Sequence, residues 1–103
     1  MRLASTPLAE QDLEAIADYI AADNPVRALS FVRELRTQCQ RITLNPPGYR
    51  LRPELGDRIR SCAHGHHVIF FESNSDVVVI VRILRGARDI PAVFGADLEW
   101  PLR

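Results

Sequence analysis

Residues 77–85 read Val77-Val78-Val79-Ile80-Val81-Arg82-Ile83-Leu84-Arg85 and open with five consecutive β-branched residues. Such side chains are stiff at χ1 and suit a pleated backbone, and a run without polar alternation predicts a central strand covered on at least part of both faces. Just before it, Ser73-Asn74-Ser75-Asp76 has turn chemistry, and His66 to Glu72 is a second apolar run. Further back, Arg58 to Ala63 is separated from that run by His64-Gly65, which reads as a hairpin. The C-terminal half therefore predicts a three-stranded meander.

Upstream the period changes from two to 3.6. Thr6-Pro7 is a helix start, a hydroxyl cap followed by proline at the first helical position, and Ala9, Leu13, Ile16, Ala17 and Ile20 then share one face. Asn24-Pro25 repeats the signal, with Ala28, Val32, Leu35, Cys39 and Ile42 as the second stripe. The two helices should end near Asp23 and Leu44 and, with only Asp23-Asn24 between them, fold back as an antiparallel hairpin. Residues 2–5 are a short N-terminal strand, and the stretch from Asn45-Pro46-Pro47-Gly48 to Asp57 reads as a loop. The expected class is α+β: a helical hairpin packed on a mainly antiparallel sheet, in the order β-α-α-β-β-β, over residues 1–95, with 96–103 as a tail.

Composition bounds the function. The chain has 103 residues, with 13 basic and 13 acidic groups and no net charge, so a global electrostatic grip on nucleic acid or an anionic membrane is not expected. All 13 basic residues are arginine, which excludes chemistry that needs a lysine ammonium or Schiff base. The neutrality hides a partition: residues 10–23 hold Glu10, Asp12, Glu14, Asp18 and Asp23 with no base, whereas residues 24–60 hold 8 arginines against Glu34, Glu54 and Asp57. Opposite signs on adjacent helices predict ion pairs across the hairpin. No apolar run approaches the roughly 18 residues of a membrane span, and Glu10 and Asp12 interrupt any signal-peptide core, so a cytoplasmic location is expected. Cys39 and Cys62 then read as reduced, buried small hydrophobes. His64, His66 and His67 read as solvated turn histidines, since His66 and His67 point to opposite faces of a strand and no third ligand has metal spacing. No metal or cofactor is expected.

Four stretches together resemble the RelE/ParE toxin superfamily, on its ParE side. They are Ala9-x-x-Asp12-Leu13-x-x-Ile16-x-x-Tyr19-Ile20 with Asn24-Pro25 after it, Tyr49-Arg50-Leu51-Arg52-Pro53-Glu54-Leu55, and Arg82-Ile83-Leu84-Arg85-Gly86-Ala87-Arg88-Asp89. The resemblance runs from about Leu3 to Phe94. It implies the toxin of a bacterial type II toxin–antitoxin pair, whose ParE members act on DNA gyrase and whose RelE members cut messenger RNA on the ribosome. It also implies a hetero-oligomer with a small ParD-like antitoxin, the complex repressing its own promoter, and contact with DNA only through the antitoxin or gyrase.

The branches differ in chemistry. Cleaving RNA through its 2′-hydroxyl needs a base, an acid and cations for the charge developing on phosphorus. RelE-like nucleases supply these with lysines, arginines and a C-terminal tyrosine. Alignment on Gly86 puts Arg88 on one family arginine but Phe94 where the tyrosine would stand, and alignment on Gly65 puts Cys62 at the strand arginine. A phenyl ring moves no proton, so no catalytic residue is assigned and the ParE reading is the expectation. A ribosome-dependent ribonuclease with relocated groups, or a non-toxic antitoxin-binding remnant, are the alternatives. The expected target-binding residues are Arg82, Arg85, Arg88 and Phe94, with a salt bridge from Arg82 to a carboxylate such as Glu72 on the neighbouring strand as the structural alternative. The expected antitoxin-binding residues are Glu10, Glu14, Asp18 and Trp100; Trp100, in the tail, would pack on the domain or on the antitoxin. Arg50 and Arg52 read either as loop tethers or as part of the target surface.

Overall fold

The computed structural model describes residues 1–86. The elements are β1 (Arg2–Ser5), α1 (Pro7–Ala21), α2 (Pro25–Ile42), a 3-10 turn at Pro46–Gly48, β2 (Arg50–Leu51), β3 (Arg60–His64), β4 (His67–Ser73) and β5 (Val77–Arg85). They form one sheet in the order β1-β5-β4-β3-β2, antiparallel except for the parallel β1–β5 pair. The α+β architecture expected from the sequence is therefore present. The addition is β2, two residues within the stretch read as loop and too short to show any alternation.

Local chemistry sets the helix ends. Thr6 Oγ1 accepts the Ala9 N–H at 3.0 Å and donates to the Val81 carbonyl at 2.8 Å, so one buried hydroxyl starts α1 and ties it to β5. Asn24 Oδ1 accepts the Arg27 N–H at 3.0 Å and starts α2. To do so Asn24 adopts φ −150°, outside helical geometry, while its own N–H still bonds the Ile20 carbonyl at 2.8 Å, so α1 closes near the expected Asp23. At the β3–β4 hairpin, Gly65 has φ +60°, which a two-residue turn between antiparallel strands requires.

Both faces of the sheet are buried. Leu13, Leu35, Cys39 and Ile42 of the helices pack on Cys62, Ile69, Phe71, Val78, Ile80 and Ile83. On the other face, Ile59, Phe70 and Val81 form a second cluster, with Leu55, Val68 and Leu84 against it. This two-sided burial explains the unbroken apolar run of β5. The run does not alternate regularly because Phe70 lies opposite Arg82 and Phe71 opposite Ile80, leaving Val81 as an extra residue. The bulge puts Ile80 and Ile83, three residues apart, on the helix side.

Candidate functional site

β1 pairs with β5 only as far as Ile80, so among the described residues the far half of β5 has no strand on that side. Side chains complete it. After Thr6 takes the Val81 carbonyl, Asp12 of α1 accepts the Ile83 N–H through Oδ2 at 2.9 Å. The same carboxylate takes two hydrogen bonds from Arg82, Nε to Oδ2 at 2.7 Å and Nη2 to Oδ1 at 2.8 Å. Both side chains are only 13% exposed. A fork-to-fork pair of this kind is strong and directional, and the bond to Asp12 raises the Arg82 pKa above that of an ordinary arginine.

Arg82 thus does pair with a carboxylate, but with Asp12 and not with Glu72. Glu72 lies opposite Val79, and the bulge places Arg82 beside Phe70 instead. Arg82 is also not an isolated cation awaiting a target, because its charge is matched by Asp12. Sequence reading placed Asp12 in a motif and among the first-helix acids facing the second helix, without pairing it with Arg82. The only signal was an acid at the border of the Ala9–Leu13–Ile16 stripe.

Arg85 ends β5, exposed and without an ion pair among the described residues, with its Cα opposite that of His67. Of the four expected target-binding residues, the structure places Arg82 and Arg85 three positions apart at the end of one strand. Arg88 and Phe94 lie outside the described residues, as do Trp100 and the tail. Arg52 proves to be a loop tether: its guanidinium bonds Glu54 at 2.7 Å and Ser61 at 3.4 Å and lies 5.6 Å from the Phe70 ring centre. Arg50 is exposed on the edge strand β2.

On the helical hairpin, the expected ion pairing reduces to one contact among the described residues, Glu10 to Arg36 at 3.6 Å, with side chains 50% and 60% exposed. A pair so long and wet contributes little to stability. The shorter Arg27–Glu34 pair, at 2.7 Å, lies within α2. Glu10 and Glu14 line a groove between the helices, and Asp18 does not.

The histidines differ from one another. His66 is exposed at the turn, as expected, but His64 and His67 are half-buried against α2. The Phe31 ring lies 5.7 Å from His64 and 5.3 Å from His67, and His64 Nε2 reaches Glu34 at 3.4 Å. Sequence reading missed Phe31, which faces both histidines. His67 Nδ1 is buried with no hydrogen-bond partner among the described residues. Burial, and then the nearby Arg85, His66 and His64, hold the His67 pKa below 6.5, so its neutral form is favoured in the fold. The sign for stability follows: the contribution is full above pH 6.5 and declines as pH falls, because the unfolded chain then takes a proton that the folded one resists. A urea midpoint that drops between pH 7.5 and 5.5, less steeply for His67→Gln, is the expected result, and parallel pH profiles for the two proteins would contradict it.

Cys39 and Cys62 are both buried and free. Burial pushes the Cys39 thiol up to about 11 and raises Cys62 as well, so neither is poised as a nucleophile. Among the described residues, no group of three His, Cys, Asp or Glu side chains could hold a metal ion.

The arrangement is a small α+β scaffold in which a helical hairpin braces a sheet whose last strand ends in arginines. The chain matches the family model for the ParE toxin of the parDE type II toxin–antitoxin system over residues 3–90 and belongs to that family. Among solved structures it is similar to a chain of the chromosomal ParDE toxin–antitoxin system from P. aeruginosa, at 26% identity and a TM-score of 0.71. That match covers 82% of this chain and 95% of the other. No curated protein matches it. No helix among the described residues is long and apolar enough to cross a membrane.

Proposed function

We propose that this ParE-family toxin arrests growth by binding DNA gyrase and stalling it with DNA cut, and that a ParD-like antitoxin neutralises it. The observation that carries this reading is the ParE match across residues 3–90 in a chain without a single lysine. The similar P. aeruginosa chain comes from a ParDE system, which supports the antitoxin partner. Inhibition by binding needs no bond-breaking group, and the residues assigned to it are recognition groups: Arg85 at the exposed end of β5, with Arg88 and Phe94 beyond it. Arg82, paired with Asp12, acts by positioning that end. Glu10, Glu14, Asp18 and Trp100 are assigned to the antitoxin, and the cytoplasm, where gyrase works, is the proposed location.

Induced expression without antitoxin tests the reading. Growth arrest with a DNA-damage response and gyrase-linked breaks is expected, and Arg85→Glu should reduce the arrest by about tenfold or more while melting at the wild-type temperature. Rapid loss of messenger RNA with intact DNA would overturn the reading in favour of a ribonuclease. Absence of any growth defect would indicate an antitoxin-binding remnant.

A further inference from the structure

One end of the sheet gathers basic side chains from α2, the β3–β4 hairpin and β5. His64 and His67 are opposite each other across the hairpin, and Arg85 lies opposite His67 on its other side. The Gly86 N–H donates to the His66 carbonyl at 2.8 Å, which ties the end of β5 to the turn. From α2, the Arg27 guanidinium sits 5.0 Å from the centre of the Phe31 ring, the ring that meets both half-buried histidines. The carboxylate that faces these groups, Glu34, is already engaged by Arg27 at 2.7 Å and by His64 at 3.4 Å. Arg85 and His66 are exposed, and neither has an ion pair among the described residues. Burial, and then Arg85, His66 and His64, oppose a charge on His67, so positive charge here meets like charge and little that balances it. Such a surface favours an anion from outside the chain.

The kind of anion follows from what the surface lacks. The exposed large apolar side chains, Met1, Tyr19, Val26, Leu29, Leu44 and Leu51, all lie off β3, β4, β5 and the turns between them. Protein interfaces draw much of their affinity from apolar or aromatic anchors, and this surface offers none among the described residues. Guanidinium and imidazole N–H groups without such an anchor suit phosphodiester oxygens, which a backbone presents one after another. We propose that this end of the sheet, with Arg85, His66 and His64 as its donors, grips the phosphate backbone of the DNA duplex that gyrase holds. The inference rests on the gyrase reading for which nucleic acid is met, and adds a direct contact between this chain and DNA. Imidazole gains charge as pH falls toward 6, so the grip strengthens there. The groups that set this balance are Arg27 and Glu34 of α2, His64 of β3, His66 of the turn and Arg85 of β5. His67 of β4, whose protonation burial opposes, contributes packing on Phe31 and not charge.

The test titrates the purified full-length chain into a fluorescein-labelled DNA duplex of about 20 base pairs at low salt, read by anisotropy at about pH 6.5 and about pH 8. Binding about fivefold tighter at the lower pH is expected, weakening with salt along a logarithmic slope of about −2. Arg85→Gln should weaken binding about fivefold and make that slope shallower by about one, and His66→Gln should remove about half of the pH dependence. Arg41→Gln deletes an exposed arginine at the far end of α2 and should match wild type within about twofold. All three variants change exposed residues, so they should fold, as melting curves will check. Equal weakening in all three would mean diffuse attraction and overturns the proposal, as does absence of binding by wild type at both pH values. A preference for single-stranded RNA of the same length, or loss of affinity for DNA-free gyrase in Arg85→Gln, would give the surface to another partner and also overturns it. Plasmid cleavage by gyrase, assayed with the same preparation, separates the two readings. Cleavage without DNA binding overturns this proposal alone, and DNA binding without cleavage overturns the gyrase reading and, with it, gyrase as the source of the DNA.

Discussion

Asp12→Ala should destabilise the chain by about 3 kcal/mol, lowering its melting temperature by about 15 °C. The substitution removes the two carboxylate oxygens that Arg82 bonds and the acceptor of the Ile83 N–H. With side chains only 13% exposed, water replaces the lost carboxylate poorly. Asp12→Asn keeps a neutral acceptor and should cost about half as much. The double variant Asp12→Ala/Arg82→Met should be more stable than Asp12→Ala alone, since the guanidinium that loses its carboxylate is removed with it. Thermal unfolding of the wild type and the three variants measures these differences. A cost below about 1 kcal/mol for Asp12→Ala would mean that the carboxylate does not hold the end of β5.

Phe71→Ala should cost about 4 kcal/mol, a large part of the 5–15 kcal/mol that typically separates folded from unfolded. Phe71 is fully buried in the helix-side core, and its ring meets Tyr49 edge-on at 5.7 Å. Alanine there leaves a cavity between the sheet and both helices that rigid neighbours cannot fill. The exposed Leu44, at 83%, gives the contrast: Leu44→Ala should change stability by less than about 0.5 kcal/mol. Urea unfolding of both variants decides it, and similar midpoints would show that the sheet–helix contact is not the main core.

The fold was legible where one signal dominated. Thr6-Pro7 and Asn24-Pro25 started both helices because a capping oxygen and a fixed proline φ act within four residues, and the β-branched run 77–81 marked the strand buried on both faces. What was not legible depends on distance along the chain. The Asp12–Arg82 pair joins residues 70 apart, and the strand alternation that pointed to Glu72 fails at the Val81 bulge. The half-buried histidines escaped for the same reason: their partner Phe31 lies on another element, and turn composition alone made them look solvated. Charge segregation between the helices was read correctly but not its use, since only the Glu10–Arg36 contact spans the described hairpin.

The most direct test of the function is a gyrase reaction with the purified full-length chain, supercoiled plasmid and ATP, followed by protein digestion and gel analysis. The account predicts that cleaved plasmid accumulates with toxin concentration and that added ParD-like antitoxin abolishes it. Unchanged gyrase activity at saturating toxin, with messenger RNA cut in a parallel translation reaction, would contradict it.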